Sequence, residues 1–293
     1  MRFDRDQALD KNPGTEAPTI HNRISKFLWS LIATESGEPW EVKPHLSVSS
    51  LTKRVMVTGV IAIGIFWVLY SGASKSYHFH WRILWEYRVP FWQGFLVTLE
   101  VSAVTLIFAT LGGMLVGIAR ISRFVLLSDL AFIYVEVIRN IPLLVIIMLI
   151  YYGVGAIIPM HRFLASVLAL TLFEASFIGE IVRAGIQSIS KGQTWAGRSL
   201  GFSANKTMRY IILPQAIRRI IPALAGQFVT VIKDSSLVSV ISMVDITLTG
   251  KQVMTTTMAA LESISFIAFF YFAICLVLSM FTKFLERRLP VGD

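Results

Sequence analysis

Hydrophobic residues along this chain fall into blocks of about 20, the length of α-helix that crosses the roughly 30 Å hydrocarbon core of a bilayer. Short polar or charged stretches separate the blocks. The pattern predicts six membrane spans, near Val55–Ser71, Phe95–Ala119, Leu130–Tyr152, Phe163–Ile186, Ile220–Ile241 and Ile264–Phe284. We therefore expect an all-α integral membrane protein.

Composition and charge favour the same class. The chain has 293 residues, of which 55% are hydrophobic and 15% charged, whereas about 25% of residues are charged in a soluble domain. A net charge of +9 would also suit a nucleic-acid-binding protein. Most Lys and Arg residues, however, lie between the apolar blocks, where membrane proteins carry basic residues on the cytoplasmic side. The charge thus favours a membrane protein with no nucleic-acid partner.

The distribution of basic residues also predicts the topology. With a cytoplasmic N-terminus, 19 Lys and Arg residues fall on the cytoplasmic side and five on the other. Both termini should therefore be cytoplasmic. We divide the chain into a cytoplasmic extension (1–54), a first transmembrane helix with an external, aromatic-rich interfacial segment (55–94), and a main transmembrane domain (95–293).

Two glycines in the second predicted span, Gly113 and Gly117, are four residues apart. Residues at this spacing lie on one face of a helix. Small residues there let a second helix approach closely. The pair predicts tight helix packing and carries no information about function.

The longest connection between predicted spans, residues 187–219, has signals for two short helices. Ser190 is suited to cap the first helix, and Gly201 to end it. Ser203 is suited to cap the second helix. That helix should end just before Pro214, because proline disfavours helical backbone at the residue before it.

These two helices should expose an apolar surface flanked by cations. The apolar residues are Trp195, Leu200, Phe202, Met208 and Ile211, and the basic ones are Arg198, Lys206 and Arg209. A compact amphipathic surface of this kind suits docking to a soluble partner. The alternative is a helix pair lying on the lipid surface, and spacing alone does not decide between the two.

Residues 192–214 resemble the EAA loop of ABC importer permeases, whose pattern is Glu-Ala-Ala, three residues, Gly, nine residues, then Ile-x-Leu-Pro. With the intervals preserved, the chain matches at Ala196, Gly201, Ile211, Leu213 and Pro214. It departs where the family has Glu and usually Ala, at Trp195 and Gly197. The resemblance identifies residues 187–219 as a cytoplasmic coupling loop, in which Trp195 stands in place of the Glu that could make a charge-based contact with the ATPase.

Further segments extend the resemblance over roughly residues 90–289. Those similar to the polar amino acid (His/Glu/Gln/Arg/opine) subfamily are IYVEVIRNIPLLV (133–145), ASFIGEIVRAGIQSISKGQ (175–193), LPQAIRRIIPAL (213–224) and VIKDSSLVSVIS (231–242). The resemblance implies a type I importer permease core within 95–293, in the bacterial cytoplasmic (inner) membrane. It also implies that the chain translocates polar amino acids by alternating access.

The resemblance further implies the partners of the chain. These are ABC ATPase subunits on the coupling loops, a second identical or homologous permease, and a periplasmic or extracellular solute-binding protein. The sequence contains no G-x-x-x-x-G-K-[ST] phosphate loop, so we expect ATP to be hydrolysed by a partner subunit. We expect no cofactor in this chain, and we expect it not to be an enzyme.

Charged residues inside the predicted spans are functional candidates, because a charge in lipid is costly without a partner or a cavity. Glu136 and Arg139 are three residues apart, as are Glu180 and Arg183. Side chains at this helical spacing can neutralise each other. We predict a structural or gating role for these four residues.

A second set of charges suits a translocation pathway. Glu174 lies near the middle of its span with no basic residue one turn away, and Lys233 and Asp234 are adjacent, so on a helix they point apart. A zwitterionic amino acid needs an anion for its ammonium and a cation for its carboxylate. With Glu100, early in the second span, these residues are our candidate pathway, and helix packing is the alternative role.

Two other protein classes fit the sequence less well. A secondary transporter or channel has no need of a structured cytoplasmic loop of this length. A membrane-anchored enzyme needs a reactive constellation, and the sequence offers neither a Ser/His/Asp nor a Cys/His arrangement. His78 and His80 have no third ligand nearby in sequence, so we predict no metal site.

Overall fold

The computed structural model describes residues 77–288, but not the side chains of 285–288. It also describes residues 59–61, 63–64, 67–68 and 71–72, all of which are helical. The predicted extension 1–54 and most of the predicted span Val55–Ser71 lie outside the described residues. The chain divides into two compact units, residues 1–77 and 78–293. The second unit contains every element described below.

The second unit is built from helices, and its described residues include no strand. In chain order the helices are α1 (Arg82–Glu86), α2 (Arg88–Arg120), α3 (Val125–Asn140), α4 (Leu143–Ile157), α5 (Arg162–Gln187), α6 (Lys191–Ser199), α7 (Ala204–Ile241), α8 (Ile246–Thr257) and α9 (Ala260–Arg288). Helices α2, α5, α7 and α9 are long and apolar enough to cross a membrane, and α3 with α4 makes a fifth span if the bent pair counts as one. The all-α class is confirmed, and the count of six stays a prediction because most of the first predicted span lies outside the described residues.

The third predicted span, Leu130–Tyr152, is not one straight helix. It is divided between α3 and α4, whose axes meet at 104°. Ile141 is in extended backbone with φ −100° and ψ 131°, as expected for the residue before a proline. Pro142 then provides the N-cap of α4. The break between α3 and α4 therefore follows from Pro142, whose effect the hydrophobic pattern alone does not predict.

Pro214 has the opposite outcome, because the second loop helix does not end there. Helix α7 runs on through a π-helical turn at Met208–Ile212 and continues as α-helix from Leu213 to Asp234, with Pro214 in its first turn. Proline lacks an N–H and its ring crowds the carbonyl four residues before it. A π turn shifts the hydrogen-bond register at that point, which lets the helix accommodate the proline.

Helices α2 and α5 pack closely along a row of glycines, as Gly113 and Gly117 predict. A Cβ atom on Gly113 would lie 2.5 Å from Cβ of Ile178, and one on Gly117 would lie 2.6 Å from Cβ of Val182. The backbones therefore approach to a distance that no side chain at either glycine permits. This packing fixes the two helices that carry Glu174 and the ion pairs described below.

Candidate coupling loop and charged sites of the spans

Local hydrogen bonds define the first loop helix, α6. Its N-cap, Ser190, accepts a hydrogen bond from the Gly192 N–H at 3.2 Å. At the other end Gly201 has φ +80°. Its N–H donates to the Arg198 carbonyl at 2.9 Å, and the Phe202 N–H donates to the Gly197 carbonyl at 3.0 Å. This pair of bonds is a Schellman motif, so the turn after α6 depends on a residue that tolerates positive φ.

Gly197, where the resembled family usually has alanine, is the point of contact between α6 and α7. A Cβ atom there would lie 2.8 Å from both Cδ1 of Ile211 and Cγ2 of Thr207. Gly197 and Thr207 are buried, and Ile211 is half-buried. The departure from the family pattern therefore allows a closer approach of the two loop helices.

The outer face of the loop is apolar, and no described part of the chain covers it. Trp195 is 67% exposed and Leu200 is 74% exposed. Ala196, Leu213 and Pro214 are also exposed. The aromatic side chain that replaces the family glutamate thus points away from its own subunit, as a docking residue does.

Side-chain hydrogen bonds connect the start of the loop, at Ser188 and Gln193, to α7. Gln215 donates from Nε2 to Oε1 of Gln193 at 3.3 Å, and Arg219 donates from Nη1 to the Ser188 carbonyl at 2.8 Å. These contacts join α6 and the residue Ser188 before it to α7.

Glu180 and Arg183 form the ion pair that their spacing predicts. A third member, which the sequence did not indicate, is Arg120 at the C-terminal end of α2, whose Nη2 lies 3.4 Å from Oε2 of Glu180. Arg183 also donates to the side chain of Gln187. The network links α2 to α5 immediately before the loop begins.

Glu136 and Arg139 do not form the predicted ion pair in the part of the chain that the structure describes. Both are exposed on the surface of α3. The guanidinium of Arg139 instead lies 4.8 Å from the centre of the Phe177 ring, a cation–π contact between α3 and α5. Helical spacing permits an ion pair, and here the neighbouring helix offers Arg139 a different partner.

The candidate pathway residues separate into two groups. Glu174 is fully buried, and its Oε2 accepts a 2.6 Å hydrogen bond from Nε2 of Gln227 on α7. The half-buried carboxyl of Asp234 is close enough to interact with it. Glu100 and Lys233 are exposed and form no ion pair among the residues described. The structure thus brings Glu174, Gln227 and Asp234 together, and we call them the buried polar cluster.

Comparison with known proteins places this arrangement in a family. Residues 109–291 match the family described as "Binding-protein-dependent transport system inner membrane component". The chain belongs to this family. It is a permease subunit of an ABC importer, and its relatives are transport permeases and not enzymes, as the sequence predicts.

Three individual proteins show how far the similarity extends. A probable glutamine ABC transporter permease protein of Bacillus subtilis (strain 168) is 39% identical over 208 residues, covering 71% of this permease and 96% of that protein. The glutamine transport system permease protein of Escherichia coli (strain K12) is 35% identical over 216 residues, covering 73% and 99%. A crystal structure of an amino acid ABC transporter with histidines aligns with TM-score 0.70 and 34% identity, covering 72% and 100%.

Two further features of the permease bear on its site chemistry. A cavity of about 680 Å³ lies between the C-terminal end of α2 and the loop, with Arg120, Lys191 and Met208 among its lining residues. Within the described residues, no group of three or more His, Cys, Asp or Glu side chains is arranged to hold a metal ion.

Proposed function

We propose that this permease imports polar amino acids, and that the loop 187–219 transmits the motion of a partner ATPase to its spans. The observation that carries the proposal is the geometry of the loop. A Schellman turn at Gly201 and the close contact at Gly197 hold α6 against α7, while Trp195 and Leu200 remain exposed. The amino-acid substrate is supported by the relatives that are permeases for glutamine.

The membership of this family implies ATPase subunits, a substrate-binding protein and a second permease. We infer that the ATPase docks on the exposed face around Trp195 and carries out all ATP hydrolysis, with no cofactor in the permease itself. Because tryptophan replaces glutamate at this position, the partner groove should be apolar there. The second permease, identical or homologous, completes the pore. We further infer an inner-membrane location with both termini cytoplasmic, which the excess of basic residues on that side supports.

We infer that the buried polar cluster borders the pathway and receives the ammonium group of the substrate. Two adjacent carboxyl groups, Glu174 and Asp234, favour a cation between them. Lys233, exposed on the surface of α7, and Glu100, exposed on α2, are the pathway groups that a second subunit would cover. The ion network of Glu180 and Arg183 and the residues Glu136 and Arg139 serve the architecture or gating of the spans.

Reconstitution of the complete complex in liposomes tests the proposal. We expect amino-acid uptake that requires ATP in the compartment facing the loop, together with the binding protein on the opposite side. Glutamine and a panel of other polar amino acids serve as substrates, and liposomes with the permease alone serve as the control. ATP-energised uptake by the permease alone, or no uptake of any polar amino acid by the active complex, would refute the proposal.

A further inference from the structure

An aromatic cleft lies at the end of α2 that is distant from the loop. It is formed where α1 and the first turns of α2 meet α9, and it encloses about 380 Å³. Its principal lining residues are Trp81, Trp85, Arg88, Phe91, Phe266 and Phe270. Helix α2 ends at Arg120, beside the loop cavity, and its 33 residues span roughly 50 Å at about 1.5 Å per residue. The cleft therefore faces the opposite leaflet from the coupling loop.

The cleft has a fixed apolar floor. Phe91 is only 3% exposed, and its ring centre lies 4.6 Å from that of Phe266. Phe266 in turn contacts Phe270. One turn before Phe266, the buried Glu262 accepts a hydrogen bond from the His80 N–H at 2.5 Å, which holds the segment leading into α1 against the start of α9.

The cation at the mouth of the cleft is Arg88. The Arg88 guanidinium is 4.8 Å from the centre of the Trp85 ring and donates to the Trp85 carbonyl at 2.9 Å. Its neighbour Arg82 is paired with Glu86 at 3.1 Å. Arg88, in contrast, forms no salt bridge within the described part of the chain, so its position is fixed by an aromatic ring and its charge is available to a ligand.

We propose that the aromatic cleft binds one anionic phospholipid of this leaflet, with the phosphate at Arg88 and an acyl chain along Phe91, Phe266 and Phe270. Tryptophan rings of the kind found at Trp81 and Trp85 occupy the headgroup zone of a bilayer, which places the cation at phosphate depth. A water-soluble anion would gain little from the phenylalanine floor. A zwitterionic phospholipid also has a phosphate, but its own ammonium group competes with Arg88 for that negative charge. The volume lies within the range of about 300–1,000 Å³ typical of ligand sites.

Native mass spectrometry of the purified, delipidated complex tests the proposal. The probes are phosphatidylglycerol and phosphatidylcholine of equal chain length, titrated separately. We expect one phosphatidylglycerol per permease copy, retained in preference to phosphatidylcholine. Arg88→Gln should weaken this retention about ten- to a hundredfold, the effect of removing one charge-assisted contact. The control, Arg123→Gln, removes an exposed cation at the other end of α2 and should change nothing.

A photoactivatable side chain in place of Trp92, on the rim of the cleft, identifies the occupant independently. We expect adducts with phosphatidylglycerol that decrease in the Arg88→Gln background. Three results would overturn the proposal: equal retention of the two lipids, unchanged retention in Arg88→Gln, or adducts formed with residues 55–71 of the chain, which would make the first predicted span the occupant. Uptake activity is not the readout, so failure here is distinguishable from failure of the proposed transport function.

Discussion

Adjacent glycines on α2 provide a stringent test of the packing between α2 and α5. A Cβ atom on Gly112 would lie 3.5 Å from Cβ of Ala175, which is ordinary contact, whereas one on Gly113 would lie 2.5 Å from Cβ of Ile178. Carbon atoms pack best at about 3.5–4.0 Å. Alanine is therefore accommodated at Gly112, whereas at Gly113 it forces the helices apart locally by about 1–1.5 Å.

The magnitude follows from comparing the two alanine variants. Replacing glycine by alanine stabilises a helix by up to about 1 kcal/mol at either position. This contribution therefore cancels when the stabilities of Gly112→Ala and Gly113→Ala are compared. What remains is the overpacking cost at Gly113, about 1–3 kcal/mol. Gly112→Ala should be neutral or stabilising, and Gly113→Ala should be less stable than Gly112→Ala by that amount.

Thermal unfolding of the detergent-solubilised permease, followed by loss of the monodisperse peak in fluorescence-detected chromatography, measures the difference. A change of 1 kcal/mol shifts Tm by about 2–4 °C in a domain of 150–250 residues, so the two variants should differ by at least about 2 °C. Gly117→Ala, whose Cβ would lie 2.6 Å from Val182, should behave like Gly113→Ala. Equal Tm values for Gly112→Ala and Gly113→Ala would show that α2 and α5 do not pack as described.

Three further predictions concern the loop, the buried polar cluster and the cap of α8. Gly201→Val places a branched residue at φ +80° in open space, which strains the backbone by about 1–2 kcal/mol without a clash. The variant should still insert but lose the ATPase on co-purification, whereas the control Gly226→Val, also in open space but at ordinary φ, should retain it. Normal ATPase retention in Gly201→Val would contradict the docking role. Glu174→Gln should preserve expression and Tm but lower uptake per assembled complex, with amino-acid binding by the external binding protein unchanged. Wild-type uptake across several amino acids would contradict a role of Glu174 in the pathway. Burial raises the pKa of Asp245 above its usual range, although the hydrogen bond from the Leu248 N–H opposes this shift, so the stabilising contribution of Asp245 falls as pH rises through its folded-state pKa. Asp245→Asn keeps a capping side chain and should be at least as thermostable at pH 7, with a flatter profile of Tm against pH. A profile identical to that of the wild type would refute this prediction.

The sequence predicted the features that depend on composition or on one residue with a single conformational role. Apolar blocks predicted the spans, the spacing of Gly113 and Gly117 predicted the close helix contact, and Gly201 predicted the turn of the loop. Each of these signals is local, so no knowledge of the neighbouring helix is needed to read it.

The features that the sequence did not predict depend on neighbours distant in the chain. Pro142 breaks a helix and Pro214 does not, because a π turn absorbs the second proline. Arg139 has a carboxylate at the right spacing but contacts an aromatic ring of α5 instead. Gln227 looks unremarkable in sequence, and only the packing of α7 on α5 brings it to Glu174. Tertiary contacts decide these cases.

Helix α8 was also not predicted, for a different reason. It spans Ile246–Thr257 and is too short and too polar to register as an apolar block of membrane-spanning length. The signal that was available is the cap, since Asp245 accepts a hydrogen bond from the Leu248 N–H at 2.8 Å. An aspartate three residues before a helical N–H is a common helix start, although such sites are frequent in sequences.

The continuity of α7 connects the loop, where we propose that the ATPase docks, to the buried polar cluster through a single helix. Its 38 residues run unbroken from Ala204 to Ile241, and about 35 Å of helix separates Ala204 from Gln227 at 1.5 Å per residue. A tilt of only about 5° about the Ala204 end therefore moves Gln227 by about 3 Å over this length. That displacement is large compared with the range of about 0.5 Å over which an N–H···O hydrogen bond is maintained, so a small tilt of α7 is enough to make or break the 2.6 Å bond between Gln227 and Glu174.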